Sequence, residues 1–161
     1  MSQKGLLLFE LAGHEFGIDL GLVEEVVPAN VVSQVPNAPY FFLGLSAIRG
    51  RILSVIDSAK RYDIGPALNR YFLVCKVRGN STALTIDRPS IAGTLHLRQL
   101  SIDESNDLQK KIQVDQKFLR LAYELLEENK DKSLQATGKY FFEVEADIFV
   151  SAEMASRIGA A

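Results

Sequence analysis

A chain of 161 residues, 47% of them hydrophobic and 24% charged, has enough apolar material to form one globular domain. The net charge is −2 and no segment concentrates lysine and arginine, which excludes the basic surface that nucleic acids and anionic membranes select. The apolar run near the start is interrupted by Glu10 and is too brief and too polar for a signal peptide or a membrane span. We therefore expect a soluble, cytoplasmic protein.

Short β-prone runs separated by glycine turns occupy the first ninety residues. Three predicted hairpins pair residues 6–11 with 15–20, residue 48 with 51–56, and residues 71–77 with 82–87. Hairpins at this spacing, with no long helix between them, predict small antiparallel barrels rather than a doubly wound sheet. Residues 21–24 and 58–62 are each predicted to form a single helical turn at the end of a strand.

The pattern changes in the second half of the chain. Residues 101–116 are charged and rich in amides, which predicts a surface loop with room for one helical turn. Residues 117–130 carry apolar side chains at spacings of three and four, as in an amphipathic helix, but their leucines also alternate as in a strand. Residues 140–150 alternate as a strand, and residues 151–158 are predicted to form a short closing helix with Ser151 as its N-cap.

Cys75 is the only cysteine and lies inside the apolar run 71–77. A single cysteine cannot form a disulfide within the chain, and its presence fits a reducing compartment. We interpret it as a small buried hydrophobic residue rather than a reactive thiol.

The patterns that enzymes and metal sites require are absent from the sequence. His14 and His96 are far apart, and no metal-ligand spacing, phosphate loop, dinucleotide fingerprint or nucleophile elbow occurs. Glu143, Glu145 and Asp147 recur at every second position, where a solvated strand face is a better interpretation than a hard-cation site. We expect no enzyme activity, no metal and no cofactor.

Two charged residues stand in the most apolar surroundings of the chain: Glu25, and Arg49 at the tip of the second hairpin. An arginine at a hairpin tip is ordinarily solvated. The alternative is that a carboxylate holds its planar guanidinium and presents it as a fixed recognition group. Glu25 is one candidate partner, whereas Glu24 is expected to face elsewhere. Desolvation offsets much of the attraction within such a pair, so the pair would add little stability to the fold. Its role would be to fix the geometry of a contact surface.

Around these positions the sequence resembles the CheW-like family, the coupling proteins of bacterial chemotaxis arrays and the regulatory domain of their histidine kinases. The resemblance lies in the order and spacing of short motifs over the first 65 residues, and a later aliphatic-Asp step falls on Ile86-Asp87. The motifs are Phe9-Glu10-Leu11, Ile18-Asp19-Leu20, Val23-Glu24-Glu25-Val26, Val35-Pro36-Asn37-Ala38-Pro39, Gly44-Leu45, Arg49-Gly50 and Ile52-Leu53-Ser54-Val55-Ile56-Asp57.

This resemblance implies a mainly β fold of two five-stranded, SH3-like barrels with short helices, packed as a single domain over residues 1–161. It implies a non-enzymatic adaptor that couples the cytoplasmic tip of a chemoreceptor to the regulatory domain of a histidine kinase, without insertion into the membrane. Glu25 and Arg49 would pair near the receptor groove. The partner-binding residues implied by the resemblance are Val23, Glu25, Gly44, Leu45, Arg49 and Gly50.

Several positions depart from the family pattern. Ser54 replaces a usual proline, residues 46–48 replace an asparagine-containing triplet, and Pro89 replaces a β-branched residue, so that its strand should end early or bend. Residues 97–138 fit the family poorly. The resemblance places a strand near residues 118–125, and we favour that strand over the helix, with residues 127–139 as an enlarged hairpin loop.

Two alternatives stay open on the sequence alone. One is a divergent homologue of the same fold that binds a single partner, and the other is an unrelated small β-barrel that binds a peptide or ligand. The adjacent aromatics Phe41 and Phe42 follow Pro39 in an apolar, helix-like segment, and we interpret them as core rather than as a stacking surface for bases.

Overall fold

The structure is a computed structural model that describes residues 1–148. Within this range, single-turn 3-10 helices occur at Leu20–Leu22, Gln116–Phe118 and Ala146–Ile148. The α-helices are α1 (Ser58–Tyr62) and α2 (Ile102–Ile112). The strands are β1 (Ser2–Leu11), β2 (His14–Asp19), β3 (Val23–Pro28), β4 (Phe42–Ile48), β5 (Arg51–Ile56), β6 (Tyr71–Val77), β7 (Asn80–Ile86), β8 (Arg88–Gln99), β9 (Leu119–Glu128) and β10 (Leu134–Val144).

The strands form two five-stranded sets. A closed barrel, here called the terminal barrel, has the order β1-β2-β10-β9-β8, and the central sheet has the order β3-β6-β7-β5-β4. All three predicted hairpins are present, as β1–β2, β4–β5 and β6–β7. The first hairpin, however, belongs with the last three strands rather than with the two hairpins that follow it.

The central sheet closes on itself through the chain that leaves β3. Ser33 exchanges two backbone hydrogen bonds with Leu45 of β4, at 2.8 and 2.9 Å. Ser46 Oγ donates to the carbonyl oxygen of Val31 at 2.8 Å. Residues 29–33 therefore cover the edge of β4 and connect it to the end of β3. Of the two predicted five-stranded barrels, the terminal one is a closed barrel and the central one is a five-stranded sheet whose edges are joined by this segment.

Three hydrophobic clusters stabilise this arrangement, one inside each five-stranded set and one shared between them. Strand β1 shows how the clusters are built, since successive side chains of a strand point to opposite faces. Leu6 and Leu8 fill the terminal barrel, whereas Leu7, Phe9 and Leu11 join the shared cluster. The two sets are thus joined by a continuous core rather than by a linker.

Asp87 forms hydrogen bonds at the boundary between the two five-stranded sets, here called the seam. Its buried carboxylate accepts hydrogen bonds from the backbone N–H groups of Ala12, Leu68 and Asn69, at 2.9, 2.7 and 3.0 Å. Asp57 caps helix α1 and also accepts from the Asn69 side chain at 3.2 Å. The aspartates of Ile56-Asp57 and Ile86-Asp87 therefore satisfy backbone and amide donors that would otherwise be left unpaired at the seam.

An arginine between two aromatic rings also joins the sets. The Arg61 guanidinium lies 4.7 Å from the ring centroid of Phe41 and 4.8 Å from that of Phe118, close enough for cation–π attraction to both. Phe41 and Phe42 are buried, as predicted. Phe42 nevertheless begins strand β4, so the helix-like interpretation of that segment was wrong.

Helix α2 occupies the region that the sequence predicts to be a surface loop. Its first turn is a capping box, in which Ser101 Oγ accepts from the Glu104 N–H at 3.2 Å and Glu104 Oε1 accepts from the Ser101 N–H at 3.0 Å. Arg98 bridges two glutamates, since its Nη2 lies 2.9 Å from Glu104 Oε2 and 3.0 Å from Oε1 of the buried Glu124. The hydrogen bond from Arg98 lowers the pKa of Glu104 to about 2. The Ser-x-x-Glu signal was present in the sequence and predicts this helix start.

Strand β9 confirms the choice of a strand over a helix for this segment, and its partner is β10. Ala122 faces the shared cluster and Tyr123 faces the interior of the terminal barrel. Because both faces of β9 meet apolar clusters, apolar residues stand at consecutive positions and imitate helical spacing. The connecting loop covers only residues 129–133, so the predicted loop at 127–139 was too long.

Pro89 bends its strand without ending it. Strand β8 continues to Gln99, but its pairing with β1 shifts register between Leu8 and Phe9, whose partners are Ile91 and Pro89. A bulge at this place accommodates the residue that cannot donate to the ladder.

The carboxylates of the last strand are not a solvated face. Glu143 is only 2% exposed and is held by Lys4 at 2.5 Å and by Arg120 at 3.4 Å. Asp147 lies in the 3-10 helix after β10, where it accepts a hydrogen bond from the Arg78 N–H at 2.9 Å. The predicted helix at 151–158 lies outside the described residues.

The two predicted helical turns have counterparts in the structure, whereas the strand predicted at residues 140–150 begins at Leu134 and ends at Val144. Residues 58–62 form α1, and the helical turn predicted at residues 21–24 is a 3-10 turn at Leu20–Leu22, after which β3 begins at Val23.

The Cys75 thiol provides a direct test of the shared core. The side chain is completely buried in β6, and burial raises the pKa of the thiol to about 12. We expect the native protein not to react with an aromatic disulfide reagent at pH 8, and one thiol per chain to react in denaturant. Equal reaction rates in the native and denatured states would contradict this packing.

Candidate partner-binding surface

The predicted partner-binding residues lie on β3, on β4 and in the β4–β5 turn. Val23 and Glu25 belong to β3, and the Val23 side chain is partly buried against the shared cluster. Arg49 and Gly50 form the turn, with φ of 49° and 77°. Positive φ at both positions is typical of the two-residue turn that matches the twist of a hairpin. The turn therefore holds Arg49 at the tip of a rigid hairpin.

Glu25 and Arg49 form the pair that the sequence suggested as one possibility. Arg49 Nε lies 2.9 Å from Glu25 Oε2 and donates to Glu25 Oε1 at 3.0 Å. The Arg49 side chain is 71% exposed and that of Glu25 is 25% exposed. Within residues 1–148, the hydrogen bonds of this guanidinium come from Nε alone. The carboxylate thus orients the guanidinium while both Nη groups remain available to a partner.

A β-bulge places a second glutamate beside this pair. The pairing of β3 with β6 shifts register at Glu24, so that Val23 lies opposite Cys75 and Glu25 lies opposite Val74. In a regular strand two successive side chains point to opposite faces, and a bulge removes that alternation. Glu24 was expected to face elsewhere, yet it contacts the same hairpin that carries Arg49.

The carboxylate of Glu24 has three partners. Its Oε2 lies 2.8 Å from Arg51 Nη2, its Oε1 lies 3.3 Å from Lys76 Nζ, and Ser81 Oγ donates to Oε1. The hydrogen bond from Ser81, followed by that from Arg51, lowers the pKa of Glu24 to about 2. Sequence reasoning did not identify this cluster, although Glu24-Glu25 and the Arg-x-Arg spacing of 49 and 51 were visible signals.

Gly44 and Leu45 contribute to the shape of the surface through the backbone. Gly44 is buried with φ of 142°, and a Cβ atom there would lie 2.0 Å from the carbonyl oxygen of Ser33. Leu45 is half-buried and makes the backbone bridge to Ser33. Both residues therefore keep the central sheet closed below the β4–β5 hairpin.

An exposed apolar rim is formed by β5 and by the chain that follows β3. Val31 is 80% exposed and Ile52 is 66% exposed, and both line a shallow groove with Leu45 and Ala47. Sequence patterns do not distinguish such exposed strand residues from core residues. A cluster of exposed aliphatic side chains beside an oriented charge is the composition expected of a protein-binding surface.

Residues 1–148 contain no cluster of three or more His, Cys, Asp or Glu side chains that could hold a metal ion. No helix within that range is long and apolar enough to cross a membrane.

The CheW-like domain family matches residues 5–120, which is well over half of the chain. The chain belongs to the CheW-like family. A relative in Rhizobium etli, described as a probable chemotaxis protein CheW, is 27% identical over 113 residues, which cover 67% of this chain and 73% of the relative. The chemotaxis protein CheW of Treponema pallidum is 29% identical over 93 residues, or 53% of this chain and 55% of that protein. The match therefore spans little more than half of the Treponema protein.

Comparison of structures supports the same fold for this CheW-like protein. The scaffolding protein TtCheW of Thermoanaerobacter tengcongensis has a TM-score of 0.70 and covers 95% of this chain and 96% of its own, at 18% identity. Two five-stranded sets with short helices are thus the CheW fold, as predicted. The family consists of non-enzymatic adaptors, so this chain is a chemotaxis adaptor rather than an enzyme or an unrelated β-barrel.

Proposed function

We propose that this CheW-like protein couples a chemoreceptor to a histidine kinase in the cytoplasm, by binding the cytoplasmic tip of the receptor and the regulatory domain of the kinase. The proposed partner-binding residues are Val23, Glu25, Gly44, Leu45, Arg49 and Gly50. The observation that carries the proposal is the Glu25–Arg49 pair, whose exposed guanidinium is oriented through Nε and has two Nη groups without a hydrogen-bond partner in residues 1–148.

The geometry of this pair suits recognition better than stabilisation. A pair this exposed adds little to the free energy of folding, because water screens the attraction. Its carboxylate instead restricts the arginine to one orientation before a partner arrives, which lowers the entropic cost of binding. The exposed Val31 and Ile52 supply apolar area beside it, while the guanidinium sets the register of the contact.

We infer that residues 97–138 contribute to the choice of partner. This region contains α2, β9 and the start of β10, and the family match ends within it, at residue 120. We propose that it forms part of one domain over residues 1–161. Its position on the terminal barrel separates it from the Glu25–Arg49 pair on the central sheet. We infer that this region supplies a contact surface other than that of the Glu25–Arg49 pair.

A binding experiment with two probes tests the coupling function. The probes are a receptor-tip fragment and a kinase regulatory domain from the same organism, each immobilised separately and titrated with the full chain. We expect binding to both probes, and a three-component complex in size-exclusion chromatography. Binding to one probe alone would support the single-partner homologue, and binding to neither would overturn the proposal.

A further inference from the structure

Glu24 lies where the fold brings two glutamates and two arginines close together. The bulge in β3 brings two successive carboxylates, Glu24 and Glu25, to a hairpin that carries two arginines only two positions apart, Arg49 and Arg51. Four charges at this spacing can pair in more than one way. The structure shows one arrangement, in which Glu25 holds Arg49 and Glu24 holds Arg51.

The two pairs are not equivalent. Among residues 1–148, Glu25 has a single cationic partner, whereas Glu24 contacts Arg51, Lys76 and the hydroxyl of Ser81. Arg51 is anchored a second time, because its Nη1 donates to Ser81 Oγ at 3.1 Å. The Glu24 cluster is therefore cross-linked to β5, β6 and β7, while the Glu25–Arg49 pair has no support beyond its own two side chains within residues 1–148.

Removal of the Glu24 charge would leave Arg51 and Lys76 without their carboxylate. Glu25 follows Glu24 directly in β3, so Arg51 would be drawn toward it, and a cation that pairs with Glu25 competes with Arg49 for it. Arg49 would lose its fixed orientation although none of its own atoms had been changed.

We propose that Glu24 is a positioning residue of the partner site: it holds Arg51 and Lys76, and so reserves Glu25 for Arg49. The effect on partner binding rests on the proposed function, whereas the effect on the Arg49 side chain does not. Glu24 need not touch the partner for this role, and its carboxylate is already occupied by three neighbours.

The first test observes Arg49 directly, by NMR of the arginine Nε–Hε groups in the full chain without any partner. In Glu24→Gln the Arg49 Nε–Hε signal should shift and exchange faster with water, because the hydrogen bond to Glu25 is shared with Arg51. In the double variant Glu24→Gln/Arg51→Met that competitor is gone, and the signal should return most of the way to its wild-type position. Asp63→Asn, which makes the same change of net charge at the exposed C-cap of α1, is the control and should leave the signal unchanged.

The second test measures affinity for the receptor-tip fragment in the same four proteins. Glu24→Gln should weaken binding roughly threefold to fivefold, as expected for a disturbed, partly exposed charge pair, and the double variant should regain most of that loss. Thermal melting of each variant shows whether the fold is kept.

The outcomes separate the positioning role from the coupling function. An unchanged Arg49 signal in Glu24→Gln overturns the positioning role, and so does a double variant that binds as weakly as Glu24→Gln, since Glu24 would then contact the partner itself. If the NMR signals respond as expected but the wild-type protein does not bind the receptor fragment, the positioning role stands and the proposed function fails.

Discussion

Replacement of Arg49 by glutamate is expected to abolish binding of the receptor-tip fragment while the free energy of unfolding stays within about 1 kcal/mol of the wild-type value. The substitution removes the two Nη groups, which have no hydrogen-bond partner among the described residues, and places a carboxylate against Glu25, so that attraction becomes repulsion. The fold should tolerate it because the side chain is exposed at the tip of a turn and empties no part of the core.

Calorimetric titration measures the affinity, and urea denaturation measures the stability. Arg70→Glu is the matched control, since Arg70 is an exposed arginine before β6 and its replacement changes the net charge equally. The control should bind the receptor fragment with an affinity close to that of the wild type. Unchanged affinity in Arg49→Glu would remove Arg49 from the proposed site, and a large loss in Arg70→Glu would show that net charge alone governs binding.

Replacement of Gly44 by alanine should destabilise the protein by about 4 kcal/mol or more. The φ of 142° is unfavourable for any side chain, and the added Cβ would lie 2.0 Å from the Ser33 carbonyl oxygen and 2.7 Å from the Ser33 carbonyl carbon. Both obstacles are backbone atoms that cannot rotate away. Relief of the clash would break the bridge between Ser33 and Leu45 that closes the central sheet.

Gly50→Ala separates the two causes of this loss of stability, which are the strain of positive φ and the clash of the added Cβ with Ser33. Gly50 also has positive φ, 77°, but a Cβ there would meet no atom within 4 Å. We expect it to cost about 1–2 kcal/mol in urea denaturation, from backbone strain alone. If Gly44→Ala costs no more than Gly50→Ala, the closure of the central sheet at Ser33 is wrong. Gly44 would then be free to act in partner binding through contact rather than through shape.

The hairpins were predictable because their signals are local. Each turn is a residue followed by glycine, and both positions have positive φ, as at Arg49 and Gly50. Strong β-formers flank each turn, so the two strands of a hairpin could be recognised without knowledge of the rest of the fold. Helix α2 also carried a local signal in its capping box, but its charged composition concealed the weak apolar face, Leu108 and Ile112, that packs against the shared cluster.

The candidate site was predictable only in part. Glu25 and Arg49 could be selected because charged residues within apolar runs are uncommon and call for a partner. The role of Glu24 could not, since it depends on a bulge in the pairing of β3 with β6. Val31 and Ile52 have the composition of core residues, and only the fold shows that they are exposed.

The sequence by itself determined the hairpins, the family and the two residues of the central ion pair, because turn geometry and short motifs act over a few neighbouring residues. Only the tertiary structure decided which strands share a barrel. Strand β1 pairs with β8 and β2 pairs with β10, although the five strands β3–β7 come between them in the chain. It also decided which carboxylate holds which arginine. Both results depend on contacts between distant segments, where burial and register, rather than local preference, set the free energy.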